Sequence, residues 1–408
     1  MDIFTYTFPN GIRLVHHKIL SPVGCCGIMI NTGSRDEKDE EHGMAHFIEH
    51  VIFKGTQKRK TYHILSRIDD VGGEINAYTT KEETCIYASY LIEDFDRALE
   101  LLHDITFNST FPAKELEKEK EVIVDEINSY KDNPSELIID DFEELIFADD
   151  PMGRNILGTP EKLMAFGQKE IKCFIAENYH TDQMVICSVG QMEPLKVLKI
   201  ASKYFKDIPG NLRVNGRPAL KPYRPQQVEK IMDTFQTHIV LGNIAYDFNS
   251  PKRLGLLLLN NILGGPGMNS RLNMALREKN GIAYNIESIY SPYSGVGMFC
   301  IYFGTDKDNL NRSMREVNRE LKKLREQSLG TLQLHNAARQ LKGQITIANE
   351  NRESLMLSIA KSFLMFNSVD SLETTYKKID AISASDLMAI ANEIFSPELL
   401  SSLIYKQS

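Results

Sequence analysis

The sequence predicts an α+β protein of two homologous domains, each an antiparallel-rich β-sheet packed with α-helices, on three observations. The first is size: 408 residues exceed one ordinary small domain, and 42% hydrophobic with 25% charged residues describe a globular chain able to bury sizeable cores. The second is a linker. Residues 209–226 hold four prolines and two glycines and no helical period, which divides the chain into 1–208 and 227–408. The third is recurrence. Strand, charged loop, apolar helix and glycine-rich stop follow in the same order on both sides of the linker, so the halves read as duplicates of a unit of about 200 residues.

Taken in order, residues 3–7 and 11–18 read as short strands around the turn Pro9-Asn10-Gly11, and 22–31 as a third strand. A charged loop, 35–41, leads into a helix over 44–54. No proline or glycine interrupts it, and Met44, Phe47, Ile48, Val51 and Ile52 make it mostly buried. A second helix, 62–71, stops at Gly72-Gly73. Residues 74–80 read as an exposed strand and 83–91 as a stronger, alternating one, followed by an amphipathic helix over 94–107. Pro112 opens a long polar helix to about Tyr130, and Pro134 opens another. Two more helices and a strand at 184–189 complete the half. Beyond the linker come a strand at 238–245, an apolar helix at 254–263, and Gly264-Gly265-Pro266-Gly267, read as a helix-ending turn. Another helix, strands at 286–293 and 297–303, and several helices follow.

Composition narrows the function. A net charge of −8 offers no basic surface for nucleic acid or an anionic membrane. No apolar run approaches the length of a membrane span, and the start, Met-Asp-Ile-Phe-Thr-Tyr-Thr, lacks the pattern of a signal peptide. The six cysteines show no Cys-x-x-Cys spacing and mostly sit in apolar, strand-like runs. They read as buried reduced thiols of a cytoplasmic protein, with Cys25 and Cys26 on opposite sides of one strand.

The chemistry gathers in the 44–54 helix, which holds His46, Glu49 and His50 in the order His-x-x-Glu-His. Residues four apart share a helix face, so both imidazoles can reach one metal ion, with Glu49 close enough to serve its bound water. This is the inverse of the His-Glu-x-x-His zinc motif. A catalytic zinc takes three protein ligands and leaves a fourth position open, so a third ligand must come from elsewhere. Glu119 and Glu126, seven apart on the long helix, share a face, with Val122 and Ile123 between them expected to anchor it to the core. Spacing alone does not separate these two from Glu115, Glu117, Glu121 or Asp125. In the second half Leu258, Leu259, Asn260 and Asn261 stand where the histidines stand in the first, so only the first half keeps a metal motif.

The run Gly33-Ser34-Arg35-Asp36-Glu37, the run from Gly43 to Thr56, and Gly72-Gly73-Glu74-Ile75-Asn76-Ala77 resemble the pitrilysin-type inverzincin metallopeptidases. So do the 119–126 run, Ser270-Arg271-Leu272 and the 276–284 run with Arg277 and Tyr284. The chain is most similar to half-length bacterial members related to the β subunit of the mitochondrial processing peptidase. The resemblance implies a zinc metalloendopeptidase with one Zn2+ per chain, held by His46, His50 and Glu126, with Glu119 supporting the site from behind. It implies Glu49 as general base on the zinc-bound water, and Arg277 with Tyr284 as a substrate-contacting pair. It also implies that Asn76 and Ala77 lie on an edge strand to which the peptide substrate adds. On this reading 1–208 is the zinc-binding catalytic domain, and 227–408 a metal-free domain supplying the Arg/Tyr pair. Two domains enclose a substrate only as a dimer, and a homodimer with shared sites suffices. The alternative is an inactive structural or processing-partner subunit of the same fold.

Overall fold

The computed structural model describes residues 2–408. It consists of two units. The first comprises the chain to Asn128, Arg154–Pro218 and Ile347–Ser371; the second comprises Ser129–Gly153, Ala219–Thr346 and Leu372–Ser408. The expected division at 209–226 is therefore crossed twice, because each unit takes a segment from the other half of the sequence.

The first unit is built on strands β1 (Ile3–Thr7), β2 (Arg13–Lys18), β3 (Val23–Ile30), β4 (Glu74–Thr79), β5 (Thr84–Leu91) and β6 (Met184–Gly190). Their order across the sheet is β1-β2-β6-β3-β5-β4, with β2 and β6 parallel and every other pair antiparallel. The period-2 alternation of strands buries both faces. On one face Leu14, Cys26, Ile28 and Ile186 pack with helices that include Met44–Val51 and Phe95–Phe107. On the other, Val15, Cys25, Met29, Cys85 and Cys187 lie under Leu355, Met356, Ile359 and Phe363 of the helix Arg352–Phe366. Cys25 and Cys26 do point to opposite faces.

The second unit repeats the plan with β7 (Gln227–Met232), β8 (Thr237–Ala245), β9 (Ala283–Pro292), β10 (Gly297–Thr305) and β11 (Ser401–Gln407), ordered β7-β11-β8-β10-β9. Again one pair, β7 with β11, is parallel, and it sits where β2 and β6 sit in the first sheet. Ile138, Phe142 and Ile146 of the helix Pro134–Ile146 cover one face, against Val240, Cys300, Leu403 and Tyr405. The helix Arg253–Gly264 occupies the place of the motif helix. Its Leu258 and Leu259 are core residues and Asn260 and Asn261 follow them, so no histidine stands on this helix.

Three expectations need correction. Strands β7 and β11 carry no signal that the sequence reading picked up, since Glu229 and Lys230 interrupt β7 and polar residues flank the short apolar core of β11. Ile123 anchors the long helix as expected, joined by Leu116 and Ile127, but Val122 is 51% exposed. The 209–226 segment has no regular structure, as its prolines require, but it is not a free tether. Arg217 Nη2 lies 2.7 Å from Asp36 Oδ2 and Arg217 Nη1 3.3 Å from Glu82, while Arg213 Nη2 is 3.1 Å from Asp36. These contacts bind the segment to the first unit as far as Pro218.

Candidate metal centre

The motif helix Met44–Val51 is short and is fixed at its N-terminus by the chain before it. Gly43 has φ +96°, and a Cβ there would meet Gly158 Cα at 2.8 Å and the Leu157 carbonyl at 2.9 Å. Only glycine fits both the conformation and the contact. Two free N–H groups at the helix start are taken up by the buried Glu37 side chain, which accepts from Gly43 N at 2.9 Å and Ala45 N at 2.8 Å. Met44, Phe47, Ile48 and Val51 hold the helix in the core. That leaves His46, Glu49 and His50 as its polar side.

The long helix Ala113–Lys131 brings up the carboxylates. Glu126 Oε2 lies 3.4 Å from His50 Nε2 and 3.8 Å from His46 Nε2. One ligand atom from each of the three residues falls within 4.8 Å of the others. Donor atoms about 2.0 Å from a tetrahedral zinc stand roughly 3.3 Å apart, so two imidazoles and a carboxylate at these separations fit such an ion. Burial, then the neighbouring His50, pushes His46 down to about 4. It is therefore neutral at physiological pH, with a lone pair free for a metal. Its Nδ1 is buried with no hydrogen-bond partner.

Glu119 stands behind His50, its Oε1 3.2 Å from His50 Nδ1. A carboxylate accepting from Nδ1–H fixes the tautomer that leaves Nε2 unprotonated and turned toward Glu126. Glu49 is half-buried. Burial pushes its carboxyl up, opposed by hydrogen bonds from Thr79 and by His50, with Glu126 adding to the rise. Thr79 closes β4, the terminal strand of its sheet, and the Asn76 and Ala77 positions lie on that same strand. Arg277 and Tyr284 belong to the second unit. Arg277 lies in a π-helical turn, Asn273–Glu278, and Tyr284 is an exposed residue at the start of β9. Both line a cavity of about 570 Å3 together with Gly264–Gly267, where the Arg253–Gly264 helix ends.

Sequence reasoning overlooked two residues at this centre. Glu37, which caps the motif helix, lay inside a matched run but its spacing gave it no role. Lys54, whose Nζ lies 2.7 Å from Glu119 Oε2, ended the expected helix and was given no role.

A family model described as "Insulinase (Peptidase family M16)" matches residues 15–160, the stretch that holds the whole cluster. A second, described as "Peptidase M16 inactive domain", matches residues 165–341. A relative in Bacillus subtilis named "Uncharacterized zinc protease YmxG" is 32% identical over 402 residues, covering 98% of this chain and 97% of that protein. This chain belongs to the M16 peptidase family. A relative in Rickettsia bellii, named "Uncharacterized zinc protease", is 33% identical over 406 residues, covering 99% of this chain and 95% of that protein. Among solved structures, a protease from Helicobacter pylori superposes with a TM-score of 0.92 at 21% identity over 99% of each chain. A Pseudomonas fluorescens protein described as a peptidase M16 inactive domain gives 0.93 at 18% identity, over 100% and 98%. The two-unit α+β fold is thus a family fold. Among the described residues no helix is long and apolar enough to cross a membrane.

Proposed function

We propose that this M16 chain is a zinc-dependent endopeptidase acting on peptides or unfolded polypeptide segments, with one Zn2+ per chain. The observation that carries the reading is the convergence of His46, His50 and Glu126 within 4.8 Å of one another, with Glu119 on His50. Bound zinc supplies Lewis acidity toward water and toward a scissile carbonyl. The chain's own residues do the rest. Glu49 takes the proton of the attacking water and returns it to the leaving amine, and its burial raises its basicity for that task. The peptide adds to the outer edge of β4, where main-chain bonds give affinity without demanding a sequence and Asn76 and Ala77 contact its backbone. The presence of His46, His50, Glu126, Glu119 and Glu49 together favours this reading over an inactive structural subunit.

Arg277 and Tyr284 serve the site as a pair. The Tyr284 hydroxyl donates to the substrate carbonyl as negative charge develops, and Arg277 holds backbone or a carboxylate. In a homodimer each active site combines His46, Glu49, His50 and Glu126 of one chain with Arg277 and Tyr284 of the other. Mixing tests this. Glu49→Gln and Tyr284→Phe proteins, each nearly inactive alone, should recover up to about a quarter of wild-type activity once subunits exchange. No recovery, with exchange verified by differently tagged chains, rules out the shared site.

A further inference from the structure

Lys54 follows the motif helix, and its backbone is held on both sides: its N–H donates to Val51 O at 3.1 Å, and its carbonyl accepts from Thr61 Oγ1 at 2.9 Å. The side chain is largely buried and its Nζ lies 2.7 Å from Glu119 Oε2, while the other oxygen of Glu119 meets His50 Nδ1 at 3.2 Å. Both oxygens of that carboxylate are thus engaged, one by an ammonium and one by an imidazole. Among the described residues Lys54 is also the one lysine or arginine in ion-pair contact with any of Glu49, Glu119 and Glu126.

We propose that Lys54 is a positioning residue of the metal centre: it orients Glu119 so that Glu119 presents His50 Nε2 to the metal, and it balances the third carboxylate charge of the site. Three carboxylates carry a charge of −3, a divalent ion returns +2, and Lys54 supplies the remaining +1. Without it a half-buried centre holds an uncompensated carboxylate, and Glu119 loses one of the two partners that fix its rotamer. A buried charge stripped of its partner is costly, and supporting groups of this kind carry much of a site's metal affinity.

The inference rests on the zinc-site reading above, and the test separates the two. Zinc affinity is measured by competition with a chromogenic chelator for wild type, Lys54→Met, Lys54→Arg, Glu119→Gln and the Lys54→Met/Glu119→Gln double variant. Melting of the metal-free proteins monitors folding. Lys54→Met should bind zinc roughly tenfold to a hundredfold more weakly, and Lys54→Arg should stay within about threefold of wild type. In the Glu119→Gln background Lys54→Met should cost little more, since the lysine acts through that carboxylate. Wild-type affinity in Lys54→Met, or an equal loss with and without Glu119, overturns the role of Lys54 alone. A wild type that binds no zinc overturns the metal centre itself. If Lys54→Met does not fold, a loss in folded Lys54→Arg as large as in Glu119→Gln overturns the role.

Discussion

Burial acts on the first unit's ionisable residues in opposite senses. His46 is pushed down to about 4 and kept as a neutral donor, whereas Glu37 is pushed up to about 8 even though two helix N–H groups and Arg154 oppose the rise. His16, outside the site, isolates the stability consequence. It is buried between Ser188 Oγ at 2.8 Å and the Met192 carbonyl at 2.9 Å, and burial lowers its pKa from 6.5. As pH falls through 6.5 the unfolded chain takes up this proton before the folded one does. The contribution of neutral His16 is therefore complete above that pH and lost below it. Urea unfolding at about pH 7.5 and about pH 5.5 should show wild type losing more stability on acidification than His16→Gln does. Equal losses would mean that His16 titrates alike in both states.

At the scale of elements, the motif helix depends on a loop rather than on its own eight residues. Gly43→Ala must move either a backbone of positive φ or the Leu157–Gly158 peptide. It should cost roughly 1–3 kcal/mol by urea unfolding and weaken zinc binding with it. Unchanged stability would show that the loop yields freely. The helix itself was legible because an apolar stripe and two histidines four apart need no tertiary information. So were β3 and β5, whose apolar runs are long. The carboxylate that joins His46 and His50 in the cluster was not legible from spacing, because Glu115, Glu117, Glu119, Glu121, Asp125 and Glu126 all sit on one helix and only its docking selects a face. Strand β11 was missed for a related reason. Its Tyr405 is wholly buried, but by the helix Pro134–Ile146, more than 250 residues earlier in the chain.

For the whole molecule, that helix and Arg352–Phe366 define an exchange that no linear reading could show. An amphipathic helix announces that it covers something without saying which sheet. The prolines and glycines of 209–226 marked a place without regular structure. They did not reveal that the buried arginine pairs of Arg213 and Arg217 tie it down. The exchange predicts how the chain responds to cutting. A fragment ending at Pro218 lacks the helix over Val15, Met29, Cys85 and Cys187, and a fragment from Ala219 lacks the helix over Val240 and Leu403. Each alone should bind a hydrophobic dye and melt without a cooperative transition, and co-expressed fragments should recover one. Cooperative melting of either fragment by itself would show that the exchanged helix is dispensable.

The central claim, that His46, His50 and Glu126 hold a catalytic zinc served by Glu49, is tested most directly by measuring zinc per chain and hydrolysis of a quenched fluorescent peptide. Both are measured on wild type and Glu49→Gln. The account predicts one zinc per chain in both proteins, with kcat lower in the variant by roughly two to four orders of magnitude. A Glu49→Gln protein that cleaves at the wild-type rate, or a wild type that holds no zinc, would contradict it.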